Sequence, residues 1–256
     1  MIHALWNRAR NAVSERATRN WTPHALHSGA NAPLVSFTFD DFPRSAATTG
    51  ARLLRDFDAK GTYFVAGGRA GLHLDGLDQF TDEDLLAVAE EGHEIGCHTF
   101  SHLRLPSAAS GDIERDLALN SAYVRRLLGE YAITSFAYPY GAASISSKSF
   151  MHARFPFCRG IWSGINKGRV DFAQLRAVPL DCRLDHAQMA QILDEAERSN
   201  GWLIFFTHDV SESPSPYGCK TRDLALVLEA VTKRRIPILP VRDAGAKVRN
   251  VFAHVF

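Results

Sequence analysis

Two aspartates, Asp40 and Asp41, stand side by side where the apolar stretch LVSFTF (34–39) ends, and two histidines, His98 and His102, lie four apart in GCHTFSHL. Adjacent carboxylates are costly in a core, so they belong in a loop beyond it, solvated or paired with something that offsets their desolvation. Imidazoles four apart fall on one face of a helical turn, a spacing that suits two ligands of one metal ion. With one Asp they make a set of two imidazoles and a carboxylate, the complement of a catalytic zinc that keeps a position open. The residues between them, Thr99, Phe100 and Ser101, include no Glu, which excludes the zinc-protease use of this spacing. Successive side chains of an extended chain point apart, so one Asp of the pair can face the metal while the other stands near water. One is then ligand and one is base: the metal lowers the pKa of a water, and the free carboxylate takes its proton as it attacks a carbonyl. On these residues alone a solvated acidic turn and two ordinary histidines stay open as the plainer reading.

The elements that must position these groups show as short apolar runs near 34–39, 62–65, 94–97, 134–138, 157–161, 176–180, 202–207 and 236–241, alternating with amphipathic stretches. Thr81, Ser110 and Asp185 are helix-start signals, and Gly92, Gly129 and Gly201 fall past helix ends or in the turns that follow. Such alternation in one unbroken domain predicts an α/β fold with a parallel sheet, most economically closed as a single distorted (β/α) barrel, with an open doubly wound sheet as the competing architecture. In a barrel the reacting groups sit at the C-terminal ends of the strands. Asp40 and Asp41 follow the first run, His98 follows EIGC, Tyr140 follows SFAYP and His208 follows WLIFFT. Four strands from distant parts of the chain thus end in groups suited to one site.

The chain has 256 residues, 46% of them hydrophobic, and 29 Lys and Arg against 28 Asp and Glu, a net charge of +1. It can bury a large core, and its charge gives no footprint for a nucleic-acid backbone. Cys97, Cys158, Cys182 and Cys219 lie far apart with no paired spacing of a zinc knuckle or redox motif. No signal-peptide core or membrane-length run is present, so a cytoplasmic location is expected. Residues 1–32 are expected to form an N-terminal helical extension and 33–256 the barrel domain. Ile2, Leu5, Trp6, Ala9 and Val13 recur at helical spacing, with Arg8, Arg10, Arg16 and Arg19 elsewhere. That pattern suits either peripheral contact with a membrane surface or a helix packed outside the domain. Nothing in the chain specifies an oligomeric state.

The motifs TFDD, HTFSH, YPYG and FFTHD, in this order, resemble those of the polysaccharide deacetylase family, carbohydrate esterase family four, whose nodulation-deacetylase homology domain removes N- or O-acetyl groups from sugars. The resemblance spans about residues 34 to 242. It implies a distorted (β/α) barrel, usually of seven parallel strands, a divalent metal, most often Zn2+, and hydrolysis of the amide of an N-acetylated sugar or polysaccharide. Carried over motif by motif, Asp40 is the base, Asp41, His98 and His102 hold the metal, His208 is the general acid, and the Tyr140 backbone N–H helps hold the oxyanion. Two positions depart from the pattern. Phe42 stands where the family has Gly, and is expected either to narrow the mouth or stack on a sugar face, or to be tucked into a loop. Ala137 stands where many members carry an Arg that pairs with the base. Arg176 is the expected replacement, with Arg159 the alternative, and Asp181 close by is expected to tune His208. Tyr140 and Trp162 are expected to line the mouth, because flat amphipathic rings suit sugar faces. The loop SESPSPYGCK is expected over the site, with Trp202 and Cys97 in the core. Two rival functions remain on the same scaffold: a catalytically worn carbohydrate-binding module, and a hydrolase of a non-sugar amide.

Overall fold

In the computed structural model, residues 18–183 and 185–249 are described, and the N-terminal helix expected from Ile2 to Val13 lies outside the described residues. Leu34–Asp40 (β1) is buried along its whole length, as a parallel strand covered on both faces must be, and this is why it reads as a continuous apolar run. The other runs become Thr62–Val65 (β2), Glu94–Cys97 (β3), Ser135–Ala137 (β4), Phe157–Arg159 (β5), Val178–Pro179 (β6) and Trp202–Thr207 (β7). All seven are parallel, in the order β6-β7-β1-β2-β3-β4-β5. The two outer strands of that row meet through a bridge between Arg159 and Leu175, just ahead of β6. There the Gly160 N–H donates to the Leu175 carbonyl at 2.9 Å and the Leu175 N–H to the Cys158 carbonyl at 2.7 Å. The strands therefore run in chain order around a curled sheet, nearly closed, with a seam between β5 and β6. The eighth apolar run contributes one bridge, Ile238 to Val35, beside the early part of β1.

Helices Ala51–Asp56 (α1), Asp82–Glu90 (α2), Ser110–Leu128 (α3), Ile145–His152 (α4), His186–Arg198 (α5), Thr221–Lys233 (α6) and Val241–Arg249 (α7) accompany the strands. Thr81 and Asp185 cap α2 and α5 as their types predict, Thr81 in a reciprocal capping box with Asp84. Ser110 does not cap α3. The helix reaches back one residue further, since the Ala109 carbonyl already accepts from Asp112 and Ile113. Between β5 and β6 a short strand, Arg169–Asp171, replaces the helix and pairs antiparallel with Ala25–His27. Buried Lys148 donates to the carbonyls of Thr18 (3.0 Å) and Trp21 (2.6 Å) and pairs with Asp171, tying the described part of the N-terminal segment to the barrel.

Phe37 and Phe39 of β1 share the larger core cluster with Leu53 and Leu54 of α1 and Leu224 and Leu228 of α6, while Leu34, Phe64, Ala137, Trp202 and Ile204 pack with Val241, Ala244 and Val248 of α7. Helix α7 thus closes the end of the barrel opposite the strand C-termini. Glu94, buried at the start of β3, accepts from Thr62 Oγ1 (2.8 Å), Ser135 Oγ (2.6 Å) and the Arg242 N–H (2.9 Å), so the first turn of α7 is anchored to the sheet. Trp202 is core, its Nε1 donating to Ser36 Oγ at 2.9 Å, and Cys97 is a packed thiol pushed to about 12 by burial. No helix among the described residues is long and apolar enough to cross a membrane.

Candidate active site

Asp40 closes β1 with its side chain 5% exposed, and the guanidinium of fully buried Arg159 donates from Nη2 to its Oδ1. Arg159 also donates from Nη1 to the Gly160 carbonyl at 3.2 Å, with the rings of Phe64 and Phe206 at 5.2 and 5.0 Å. Burial alone would raise the Asp40 carboxyl, but the charge of Arg159 first, and its hydrogen bond, outweigh it and hold it below its ordinary value. Asp40 is therefore ionised, as a base must be. Arg176, expected in this role, is exposed and donates instead to the Ser163 carbonyl at 3.3 Å. The reason lies in the register. Arg159 on β5 is the direct partner of Ala137 on β4. Paired residues of adjacent parallel strands project to the same face, so the cation missing at position 137 arrives one strand over, and the small Ala137 leaves it room.

Asp41, His98 and His102 come together as a possible metal site, with one ligand atom from each within 4.8 Å of the others. His98 Nδ1 lies 2.9 Å from the Ala137 carbonyl, which can only accept, so Nδ1 carries the proton and Nε2 presents a lone pair. Asp41 Oδ1 is 3.9 Å from His98 Nε2 and 3.7 Å from His102 Nε2. These gaps are too long for hydrogen bonds, whereas a tetrahedral ion with bonds of about 2.1 Å keeps its ligand atoms roughly 3.4 Å apart. Asp41 Oδ1 is buried with no hydrogen-bond partner, an orphaned carboxylate oxygen between two imidazoles, and this donor set fits a divalent cation. Burial lowers the pKa of both histidines, and for His102 the charge of Arg69 lowers it further, so both stand in the neutral form a ligand needs.

The histidines do not share a helical turn. Thr99 (φ 60°) and His102 (φ 55°) are left-handed, and the loop between them is held from outside. Asp116 of α3 accepts from the N–H groups of Phe100 (2.6 Å) and Ser101 (3.1 Å) and from Ser101 Oγ (2.6 Å), while Thr99 Oγ1 accepts from the Leu103 N–H at 2.8 Å. Asp41 (φ 56°) and Tyr140 (φ 60°) are left-handed as well. Each such residue costs on the order of 1 kcal/mol, and strain gathered at one spot is a mark of a functional centre. Asp116 went unread in the sequence, as did Arg69, whose Nη1 lies 3.2 Å from Asp41 Oδ2.

His208 follows β7, half-buried, with Nδ1 facing the Tyr217 carbonyl at 3.3 Å. Asp181, expected to tune it, gives its oxygens to the backbone and guanidinium of Arg183. Burial would raise the Asp181 carboxyl, but the bonds and charge of Arg183, and last the charge of His208, hold it down, and Asp181 is thus engaged by Arg183 and makes no hydrogen bond to His208. Buried Asp209 accepts from the N–H (2.9 Å) and Oγ (2.5 Å) of Ser215, bracing the Ser-Pro loop that carries Tyr217. Tyr140 is 60% exposed with its ring 4.3 Å from that of His102, and Tyr217 is 65% exposed beside His208. Phe42 does not reach the mouth. Its left-handed backbone (φ 26°) follows Asp41 and turns the ring into the core, fully buried, stacked on Phe80 at 4.2 Å and edge-on to Tyr63. Trp162 lines a separate cavity of about 390 Å³ near the seam, with Arg19 over its ring, and none of Asp40, Asp41, His98, His102 or His208 lines that cavity.

Residues 27–153, which span the carboxylate pair, both histidines and Tyr140, match the family model described as polysaccharide deacetylase. The chain belongs to the polysaccharide deacetylase family. Among its relatives are a chitooligosaccharide deacetylase of Sinorhizobium fredii, 28% identical over 44% of this chain and 50% of the relative. Another is a peptidoglycan-N-acetylglucosamine deacetylase of Bacillus cereus, 33% identical over 34% of this chain and 38% of the relative. The chain thus spans half or less of the length of these relatives. Solved structures with the same fold include a T48 deacetylase with substrate (TM-score 0.59, 18% identity, 85% of this chain and 92% of that one). A family 4 acetyl xylan esterase from Clostridium thermocellum with a cobalt ion is similar to the same degree (TM-score 0.58, 21% identity, 82% and 89%). The family's (β/α) barrel is the fold described above.

Proposed function

We propose that this protein is a metal-dependent deacetylase that hydrolyses the N-acetyl group of a sugar or polysaccharide. The observation that carries the reading is that two neighbouring aspartates meet different partners: Asp40 is paired with Arg159, while Asp41 leaves one buried oxygen unpaired between two imidazoles. The chitooligosaccharide and peptidoglycan deacetylases among its relatives support an N-acetylated sugar as substrate.

A divalent ion, zinc by the chemistry of the donor set, would be held by Asp41, His98 and His102 and would supply Lewis acidity to the water and the acetyl carbonyl. Asp40, ionised and oriented by Arg159, takes the proton of the water as its oxygen bonds to the carbonyl carbon. The Tyr140 N–H donates to the oxygen on which negative charge develops. As the carbon–nitrogen bond breaks, His208 gives a proton to the departing amine from Nε2, since the Tyr217 carbonyl holds Nδ1–H. Acetate and the free amino sugar leave.

Replacement of each carboxylate separately tests the division of labour. Asp40→Asn should keep stoichiometric metal and lose roughly two to four orders of magnitude in acetyl release, the usual worth of a general base. Asp41→Asn should lose metal, with activity partly recovered in excess zinc. A wild-type protein that titrates with no divalent ion, or equal metal loss in both variants, overturns the assignment.

A further inference from the structure

The turn Gly67–Arg69 after β2 is built against the loop that carries the two histidines. The Gly67 N–H donates to Asn120 Oδ1 at 2.9 Å and the Gly68 N–H to the Phe100 carbonyl at 2.9 Å. A Cβ at Gly68 would stand 2.8 Å from that carbonyl, so the close approach needs glycine. The result is that Arg69, with its side chain 19% exposed, is set down with Nη1 3.2 Å from Oδ2 of Asp41. The other oxygen, Oδ1, is the unpaired one that faces His98 and His102.

We propose that Arg69 is a positioning residue for the metal ligand Asp41, one that commits Oδ2 to a guanidinium, leaves Oδ1 as a single donor and offsets the ligand's charge. This rests on the metal reading above. Two consequences follow from elementary electrostatics. The carboxylate binds an ion through one oxygen rather than two, which keeps the coordination number low and a position open for water. A unit positive charge one carboxylate away from a dication also weakens its hold, by about tenfold even with the screening of water. The chain accepts a weaker grip, and the ion's Lewis acidity is less quenched by its own ligand. The guanidinium likewise gives Asp41 a partner when no ion is bound, so the buried carboxylate is never wholly unpaired.

The test titrates full-length protein with Co2+ alone, reading affinity by competition with a chelator and coordination by the visible absorption of the bound ion. Arg69→Met should bind Co2+ about tenfold more tightly or better, and its visible bands should weaken as Oδ2 joins and the coordination number rises. Arg69→Gln, which puts a neutral polar amide in place of the cation beside Oδ2, should share the tighter affinity and keep the wild-type spectrum. Melting followed by circular dichroism establishes that each variant is folded. A folded Arg69→Met or Arg69→Gln with affinity equal to or weaker than wild type overturns the charge role, and an unchanged spectrum in Arg69→Met overturns the single-donor role. Either result leaves the deacetylase reading standing, whereas wild type that binds no Co2+ removes that reading itself.

Discussion

Replacing Arg159 with Met removes a fully buried guanidinium and leaves the Asp40 carboxylate, 5% exposed, among the rings that flanked the cation. Breaking a buried ion pair from one side costs about 3–5 kcal/mol, because a charge is left without compensation. At roughly 2–4 °C per kcal/mol for a chain of this size, the melting temperature should fall on the order of 10 °C. The effect on chemistry has a sign as well as a size. With the guanidinium gone, burial is the largest influence left on Asp40 and it raises the pKa. Ionised base then appears only at higher pH, so the acidic limb of the pH–rate profile should move upward. Denaturant unfolding of Arg159→Met, Asp40→Asn and the double variant supplies the control. The double variant buries no lone charge and should recover part of the loss, giving a coupling of about 2 kcal/mol or more between the two sites. Additivity within about 0.5 kcal/mol, together with an unmoved acidic limb, would refute the claim that Arg159 holds the base.

Phe42→Ala should cost about 3–5 kcal/mol of stability while leaving KM for any sugar unchanged, since the ring fills the core against Phe80 and Tyr63. A stable variant with a raised KM would return Phe42 to the mouth. Buried His93 accepts from the Gly61 N–H at 3.0 Å, and burial first, then the charges of Lys60 and Arg55, push its pKa to about 4. Because this folded value lies below the unfolded one, stability is complete above about pH 6.5 and is lost as pH falls toward 4, by about 3 kcal/mol. His93→Gln keeps an acceptor for Gly61 but does not titrate, and should lack that part of the acid loss when unfolding is measured at pH 7 and pH 4. Identical pH dependence in the two proteins would show that His93 is not the source.

The strands were legible because seven buried parallel strands leave seven apolar runs, and the eighth run, reduced to one bridge at Ile238, shows where apolarity overstates pairing. That Asp41, His98 and His102 gather at one place was legible because only certain residue types suit an ion, and they do come together. Their geometry was not: the spacing of the histidines suggested a helical turn, whereas the structure uses two left-handed residues and the side chain of Asp116, 15 and 16 positions beyond the Ser101 and Phe100 that it holds. Arg159 was weighed below Arg176 because the order of residues says nothing about register, and only the pairing of β4 with β5 sets residue 159 level with residue 137. The fate of Phe42 turned on positive φ at residues 41 and 42, a local strain that ordinary L residues do not advertise. The pair Gly67-Gly68 ahead of Arg69 was the one signal for that turn, since consecutive glycines mark places where backbone approaches something closely.

The seam between β5 and β6 joins the two ends of the sheet by a short stretch of ladder in a telling place. Regular ladder pairing is short there, one Arg159–Leu175 bridge against six paired residues between β7 and β1, and the edges are held besides by the Cys158 N–H on the Phe172 carbonyl and the Ala177 N–H on the Trp162 carbonyl. The strand that borders the seam is the one that carries the guanidinium paired with Asp40. Fraying there would part the guanidinium from Asp40 while most of the barrel still holds, so under the proposed function heat inactivation would run ahead of unfolding, and a molecule binding across the seam would act as a splint for the Asp40–Arg159 pair.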